Sequence, residues 1–294
     1  MEPIYTSATV KPAYQLRWSL SLFVNHPLPS IDIWLPQLRQ AVESDGVRIL
    51  EARLGPGDAW QFFLSTRPKV APPAIVKSVK GRLQYLVRET APKAFRRNFL
   101  LAADGDAKRA VVENYVASQL NHHRMADDRV QTALRQFQLE FPEVDLSQRQ
   151  TTAHGAYLYN MHLVLVHAER WNEVREEALT CTRDMVLRVA QTKGHRISRM
   201  ALLRDHLHLL AGFPPTSSPE EIALGYMNNL AYAHGMKDVY VQSYYVGTVG
   251  EFDTGAIKFA LDRAELVSRC FHRRGVGGEL LCWGRWSSLA TREI

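Results

Sequence analysis

The chain contains an internal repeat, and this feature constrains its fold more than any other. The segment DAWQFF that begins at Asp58 corresponds to DHLHLL at Asp205, which gives an offset of 147 residues. The same offset pairs Pro68 with Pro215, Pro72 with Pro219, Ile75 with Ile222, Leu83 with Leu230 and Tyr85 with Tyr232. Further along, an offset of 145 pairs residues 98–105 with residues 243–250. The 294 residues therefore indicate two copies of one domain.

Both copies show the same alternation of strands and helices. Each opens with an apolar strand, continues with an amphipathic helix and two further strands, and passes a Pro-rich turn into a second helix. A last strand and a last helix close each copy. The predicted elements are strands Leu16–Val24 and Leu158–Val166, helices Ile31–Val42 and Trp171–Val189, strands Trp60–Leu64 and Leu207–Ala211, helices that begin near Pro72 and Pro219, strands that end at Gly105 and Gly250, and helices Ala107–Leu120 and Thr254–Val267. This order predicts an α+β fold with helices packed on antiparallel sheets.

The boundaries of the two copies follow from this alternation. We predict the first domain over residues 1–120, a polar linker over 121–154, and the second domain over 155–270. Residues 127–140 are compatible with a helix inside the linker. Residues 271–294 form a basic C-terminal tail in this prediction, with Arg273, Arg274, Arg285 and Arg292.

Composition indicates an ordinary globular protein with a basic excess. Apolar residues make up 46% and charged residues 22%, and the formal charge is +6. No apolar run is long enough to span a bilayer, and the first residues lack the basic start and apolar core of a signal peptide. The three cysteines form no CxxC pair, so a reducing cytoplasmic location is expected. The basic excess suits a polyanion, either nucleic acid or a membrane surface, although solvated basic faces would explain it equally well.

Two segments of the second copy resemble a known family. Residues 205–222, DHLHLLAGFPPTSSPEEI, are similar to the HUH segment of the insertion-sequence and REP-associated tyrosine transposases, which has a His-hydrophobic-His strand, a Pro-Pro turn and a Ser-Pro helix start. Residues 243–250, SYYVGTVG, resemble a later strand of that family. The resemblance implies tandem ferredoxin- or RRM-like HUH domains that cleave and join single-stranded or hairpin DNA.

Each copy departs from the family pattern where the other keeps it. The second copy has His206 and His208, but Ala260 and Ala264 stand where the family has its tyrosine and glutamine. In the first copy, Ala59 and Gln61 replace the two histidines. Yet Tyr115 follows Gly105 by ten residues, and Gln119 follows Tyr115 by four. The family resemblance implies a dimer with active sites in trans, so we predict a single-chain pseudo-dimer with one composite site, located with the nucleoid in the cytoplasm.

The residue spacing suits the chemistry that the family implies. Side chains at i and i+2 of a strand share a face, so His206 and His208 can both reach one divalent cation, Mg²⁺ or Mn²⁺. Tyr115 and Gln119 share a helical face, and Gln119 can add an oxygen ligand. Tyr115 would then attack the phosphate and form a covalent 5′-phosphotyrosine. The candidate DNA-binding residues are Lys77, Lys80, Arg82, Arg96 and Arg97.

Two other interpretations remain open at this stage. One is a domesticated, inactive transposase that still binds DNA hairpins, and the other is an RNA-binding protein that stacks bases on Phe62, Phe63 and Tyr244. We interpret His162, His167, His195 and His234 as structural or surface residues, and Tyr244 and Tyr245 as sheet residues. We also predict that the two halves form a pseudo-twofold pair whose sheets join or abut.

Overall fold

The computed structural model describes residues 2–55, 59–123 and 125–250, which contain two six-stranded sheets. The elements of the first half are β1 Ala13–Gln15, β2 Arg17–Val24, α1 Ile31–Glu43, β3 Val47–Gly55, β4 Ala59–Thr66, α2 Pro72–Val87, β5 Phe95–Asp104, α3 Arg109–Ala117 and α4 Gln119–His122. The remaining elements are α5 Asp128–Leu134, β6 Gln138–Glu140, β7 Gln150–Thr151, β8 Ala156–Leu158, β9 Asn160–Val166, α6 Glu176–Lys193, β10 Arg196–Leu202, β11 His206–Gly212, α7 Pro219–His234 and β12 Tyr245–Thr248.

The two sheets share one strand order. In the first half, the chain β2-α1-β3-β4-α2-β5 forms four antiparallel strands in the order β3-β4-β2-β5. In the second half, β9-α6-β10-β11-α7-β12 forms the equivalent order β10-β11-β9-β12. Helices α1 and α2 pack together in one half, as α6 and α7 do in the other. Both units therefore have the ferredoxin-like βαββαβ topology, and the predicted α+β fold is confirmed.

Each half also donates a short strand to the sheet of the other half. Strand β1 pairs in parallel with β12, and after the single residue Leu16 the chain continues as β2 in its own sheet. Strand β8 pairs in parallel with β5, and after Tyr159 the chain continues as β9. Leu16 and Tyr159 are buried at these crossings, and the Tyr159 ring lies 5.3 Å from the ring of Trp18. The two sheets are thus joined by exchanged strands.

Gly105 and Gly250 lie where the backbones of the two halves approach each other closely. A Cβ atom on Gly250 would lie 2.1 Å from the Ala103 carbonyl oxygen, and one on Gly105 would lie 2.6 Å from the Thr248 carbonyl oxygen. Both obstacles are backbone atoms, which cannot rotate away as a side-chain tip can. The repeat aligned these two glycines with each other, and the shared requirement for a residue without Cβ explains why both copies have one.

Residues 121–154, predicted as a linker, contain elements of both sheets. Helix α5 covers the start of the segment for which a helix was considered. Strand β6 pairs with β10 at the edge of the second sheet, and β7 pairs with β8 at the edge of the first. Phe137 and Leu146 are fully buried. The segment therefore packs into the fold rather than only connecting its halves.

The predicted helix Thr254–Val267, the positions Ala260 and Ala264, and the basic C-terminal residues lie outside the described residues. Within the described part of the chain, no helix is long and apolar enough to cross a membrane.

Two buried tyrosines allow a matched test of how the fold is held together. The Tyr5 hydroxyl accepts a hydrogen bond from Tyr240 N (2.7 Å) and donates one to Tyr240 O (3.1 Å), which ties the N-terminal segment to the second half. The Tyr159 hydroxyl is buried and has no hydrogen-bond partner among the described residues. We expect Tyr5→Phe to lower the free energy of unfolding by about 1–2 kcal/mol, because it leaves a buried amide unsatisfied. Tyr159→Phe should change it by less than about 0.5 kcal/mol or stabilise the protein.

Urea denaturation of the two variants beside the wild type would measure this difference. Equal losses of stability in both variants would contradict the expectation, because ring packing is retained in each and only the hydroxyl contacts differ.

Candidate active site

Helix α3 of the first half packs on the sheet of the second half. Val112 and Val116 of this helix are buried against Ala201 of β10 and Leu210 of β11, within a cluster that also includes Val249. Ser198 Oγ donates a hydrogen bond to Glu113 Oε1 over 2.8 Å, and Arg109 forms a salt bridge with Asp145. The apolar residues at i and i+4 thus fix α3 over β10 and β11, the hairpin that carries the His-x-His motif.

His206 and His208 lie at the start of β11, a central strand of the second sheet. Their ring centroids are 4.9 Å apart, and each side chain is only about 5% exposed. His206 Nδ1 lies 2.7 Å from Asp205 Oδ1, and Asp205 also forms a salt bridge with Arg170. Burial raises the pKa of Asp205, but the hydrogen bond from His206 and the neighbouring positive charges outweigh it and lower the pKa to about 2. Asp205 is therefore an ionised carboxylate that orients His206.

A third histidine, His162 on β9, lies beside this pair and was interpreted from the sequence as a structural or surface residue. Its ring is nearly parallel to that of His208, with centroids 5.1 Å apart and planes 12° apart. His162 Nε2 and His208 Nδ1 are 2.9 Å apart, which is hydrogen-bond distance. Burial lowers the pKa of His162 to about 3, and burial together with the nearby His206 and His162 lowers that of His208. Both imidazoles are therefore neutral at physiological pH.

Tyr115 of α3 lies over the histidines of the other half. Its ring centroid is 5.7 Å from that of His208 and 6.0 Å from that of His162, and in both pairs the rings meet edge to face. Burial raises the pKa of Tyr115, and a hydrogen bond with the Gln119 side chain lowers it in part. With a pKa above its ordinary value, the hydroxyl needs a nearby cation or proton acceptor before it can act as a nucleophile.

The predicted single helix Ala107–Leu120 is interrupted between Tyr115 and Gln119. Helix α3 ends at Ala117 and the short α4 begins at Gln119. The Ser118 hydroxyl donates to the Tyr115 carbonyl oxygen over 3.0 Å, and the Ser118 amide is shared among three carbonyl oxygens. Such local hydrogen bonds compete with regular helix. Gln119 is 1% exposed, and its Nε2 donates to Tyr115 O over 2.9 Å.

Further polar side chains surround the site. His123, at the end of α4, has its ring 4.8 Å from that of His206, and His122 lies 6.4 Å from the Tyr115 ring. Tyr245 on β12 has its ring 6.0 Å from His162, on the same face of the sheet. Burial raises the pKa of Tyr245 to about 12, and Asp106 and Tyr115 contribute to the rise. The sequence pattern places Tyr245 in a strand but does not indicate that it faces this site.

The donor atoms at the site determine whether it can hold a divalent metal ion. Within residues 2–55, 59–123 and 125–250, no group of three or more His, Cys, Asp or Glu side chains is arranged to hold one. The Nδ1 atoms of His206 and His208 contact Asp205 and His162, so Nε2 is the nitrogen of each ring that is not engaged in these contacts. Two imidazoles with an amide oxygen fit Mg²⁺ or Mn²⁺ when phosphate or water oxygens complete the coordination.

Three of the five basic residues predicted to bind DNA make contacts within the chain. Lys80 Nζ donates to the Arg96 and Arg97 carbonyl oxygens, and Arg96 Nε donates to Val24 O. Arg82 forms two hydrogen bonds with Asp45, and these, with one from Ser78, lower the pKa of Asp45 to about 2. The side chains of Lys77 and Arg97 are exposed.

The three aromatic residues considered for RNA stacking are buried. Phe62 is 0%, Phe63 8% and Tyr244 3% exposed. A base cannot stack on them without displacing the core, so the sheet face does not offer the aromatic platform that this interpretation requires.

Most of the second half of the chain matches a known protein family. Residues 156–258 match the family described as "Transposase IS200 like", which confirms the family resemblance predicted from the second copy. No curated protein matches the chain.

Two solved structures are similar over part of the chain. The first is a REP-associated tyrosine transposase bound to a REP hairpin, with 13% identity and a TM-score of 0.28 over 37% of this chain and 62% of that one. The chain thus spans less than two thirds of that protein. The second is a candidate transposase from Deinococcus radiodurans R1, with 18% identity and a TM-score of 0.28 over 43% of this chain and 100% of that one. Scores this low carry no argument about the fold, which rests on the strand order described above.

Proposed function

We propose that the protein is a transposase-like endonuclease and strand transferase that acts on single-stranded or hairpin DNA through a covalent 5′-phosphotyrosine. Its single composite site takes the nucleophile Tyr115 from the first half, and His206 and His208 from the second. The observation that carries the proposal is the position of the Tyr115 ring, 5.7 Å from that of His208, although 93 residues separate the two in the chain. The family match over residues 156–258 supports the reaction class.

The proposed cleavage is an in-line exchange at phosphorus. Tyr115 Oη attacks the scissile phosphate, the bond from phosphorus to O3′ breaks, and a bond from phosphorus to Oη forms. The tyrosine proton passes to solvent, and the departing O3′ takes up a proton and leaves as a free 3′ hydroxyl. In strand transfer, a 3′ hydroxyl attacks the phosphotyrosine and releases Tyr115. A Mg²⁺ or Mn²⁺ ion held by His206, His208 and Gln119 would supply Lewis-acid charge to the phosphate.

The side chains of the site have separate roles in this proposal. Asp205 holds the His206 ring in one orientation through the 2.7 Å contact with Nδ1. The Gln119 side chain contacts both the hydroxyl and the carbonyl group of Tyr115, so it positions the nucleophile. It is also close enough to serve as an oxygen ligand. Val112 and Val116 belong to the buried apolar cluster against which Tyr115 packs, and this cluster holds the tyrosine in place.

We further propose that the chain is a fused pseudo-dimer derived from two equal subunits. The equivalent strand orders, the reciprocal exchange of β1 and β8, and the reciprocal close contacts of Gly105 and Gly250 support this origin. A second site related by the pseudo-twofold axis would need metal ligands at Ala59 and Gln61, which neither residue can supply as histidine does. One active site therefore remains in this proposal. We also propose that the protein acts on DNA in the nucleoid.

The alternative is a domesticated protein that binds DNA hairpins without cleaving them. It is supported by the loss of the histidines at Ala59 and Gln61. A nicking assay with Mg²⁺ or Mn²⁺ on single-stranded hairpin DNA separates the two functions. Metal-dependent nicks with protein joined to the 5′ end support the enzyme, whereas binding without a nick or adduct on any hairpin tested supports the alternative.

DNA binding should weaken steeply as salt rises, because basic side chains that neutralise phosphates release condensed counterions. We expect Lys77→Ala and Arg97→Ala each to reduce the slope of log affinity against log salt by about 1. Arg188→Ala, on the exposed surface of α6, is the matched loss of one charge elsewhere and should leave the slope unchanged. Gel shifts with hairpin and blunt duplex DNA at several salt concentrations measure both effects. Preference for blunt duplex, or equal slopes in all three variants, would contradict the proposed surface.

A further inference from the structure

The contact between His162 and His208 decides which nitrogen of His208 is available to a metal ion. A neutral imidazole carries one proton, on either Nδ1 or Nε2. If His162 donated through its Nε2–H, then His208 Nδ1 would accept, and the only proton of His208 would lie on Nε2. In that state His208 Nε2 could not ligate a cation. If His162 Nε2 accepts instead, the His208 proton lies on Nδ1 and its Nε2 lone pair is open.

We propose that His162 is a positioning residue, whose Nε2 accepts the His208 Nδ1–H and thereby holds His208 with its Nε2 lone pair available to a divalent cation. This inference rests on the proposed function, in which His208 is a metal ligand. His162 then does for His208 what Asp205 does for His206, so each ring of the His-x-His pair is oriented by its own partner through Nδ1.

The sheet register fixes this arrangement. His208 pairs with Val164, and His162 pairs with Leu210, so the two histidines are diagonal neighbours on one face of adjacent antiparallel strands. A slip of one residue would turn either ring to the opposite face. His162 is 1% exposed, and its ring lies beside that of His208 with the two planes 12° apart. The fold leaves open only which of the two contacting nitrogens, His162 Nε2 or His208 Nδ1, carries the proton.

The competing interpretation is that His162 only fills space in the core. A space-filling role predicts that a ring of similar size without nitrogen would serve equally well. The positioning role predicts that the acceptor atom matters more than the ring. These two expectations differ for His162→Phe, which keeps a ring, and for His162→Gln, whose Oε1 can stand close to the position of the imidazole Nε2 and accept the same hydrogen bond.

The first test reads the tautomers directly in the wild-type protein without metal. Nitrogen NMR of the full chain with labelled histidine distinguishes Nδ1–H from Nε2–H rings. We expect both His162 and His208 to carry their proton on Nδ1. A His208 ring with its proton on Nε2 would overturn the proposal, whatever the protein does to DNA.

The second test measures Mn²⁺ binding by calorimetry, without DNA. We expect His162→Phe to weaken binding by about 10–100-fold, the range for loss of a partner that orients a metal-ligating histidine. His162→Gln should stay within a few-fold of the wild type. His195→Phe is the control, because it also removes an imidazole hydrogen bond, the half-buried one to Tyr226, but at the opposite end of the β10–β11 hairpin. Its Mn²⁺ affinity should not change.

The outcomes separate this inference from the proposed function. Unchanged Mn²⁺ affinity in His162→Phe would overturn the role of His162 while leaving the proposed enzyme intact. A wild-type protein that binds no Mn²⁺ would overturn the metal site and the role of His162 together. If His162→Phe does not fold, the tautomer of wild-type His208 and the affinity of His162→Gln decide: a loss in His162→Gln as large as in a His208→Ala chain contradicts the acceptor role.

Discussion

Tyr115→Phe is expected to abolish the covalent protein–DNA adduct and to lower nicking by at least about a thousandfold, as loss of a catalytic nucleophile does. The substitution removes only the hydroxyl oxygen that would bond to phosphorus. The ring stays in its edge-to-face contacts with His162 and His208, and the apolar anchoring of α3 is untouched. DNA affinity should therefore remain within a few-fold of the wild type. Denaturing gels of the protein incubated with Mn²⁺ and labelled hairpin DNA detect the adduct.

Tyr245→Phe is the matched control for this prediction. Tyr245 lies on the same face of the second sheet as the histidines, with its ring 6.0 Å from that of His162, and burial raises its pKa to about 12. It has a hydroxyl at the same site but belongs to β12 rather than to α3, which carries Tyr115. We expect its variant to form the adduct normally. If the adduct survives Tyr115→Phe and disappears in Tyr245→Phe, then the nucleophile is Tyr245 and the proposal names the wrong tyrosine.

The fold could be predicted from the sequence because the repeat and the pattern of apolar and polar residues indicate the same order of strands and helices. Aligned prolines at the first positions of α2 and α7, and aligned glycines at Gly105 and Gly250, are local requirements of backbone geometry that a sequence displays directly. The exchange of β1 and β8 was not accessible in this way. Each is a three-residue strand continuous with the strand that follows, so no turn signal between them announces that the chain changes sheets.

The site was predicted where it depends on spacing along the chain and missed where it depends on contacts between strands. His206, His208 and Tyr115 were predicted as candidate site residues from motif register, and the fold brings their rings together. His162 was missed, because its partner is 46 residues away and β9 alone reads as a buried strand with one histidine. The one signal available was a polar ring in an otherwise apolar run, which requires a buried hydrogen-bond partner. Likewise, no local pattern foretold that Arg82 would pair with Asp45 or that Lys80 would bond to carbonyl oxygens.

His208→Ala is expected to abolish cleavage as completely as Tyr115→Phe, but through loss of metal rather than of the nucleophile. His208 is 5% exposed and is central to the group formed with His162, His206 and Tyr115. We expect nicking to fall by at least about a thousandfold and Mn²⁺ binding to fall with it, while hairpin affinity is largely kept. Gln119→Ala should be milder, because water can replace one oxygen ligand.

Mixing the two inactive chains tests whether the composite site is formed within one chain. A Tyr115→Phe chain keeps the histidines, and a His208→Ala chain keeps the tyrosine. If α3 packs on the second sheet of its own chain, as its contacts with β10 and β11 indicate, each chain holds one defective site and the mixture stays inactive. If instead α3 docks on the sheet of a second chain, the mixture contains sites with intact tyrosine and intact histidines, and nicking should return to a substantial fraction of the wild-type rate. The comparison should be made after refolding the two variants together from denaturant, so that slow exchange of chains cannot hide complementation. Recovery of nicking would mean that the active unit is a true dimer of fused chains, and the single-chain pseudo-dimer would be wrong even though both residues are required.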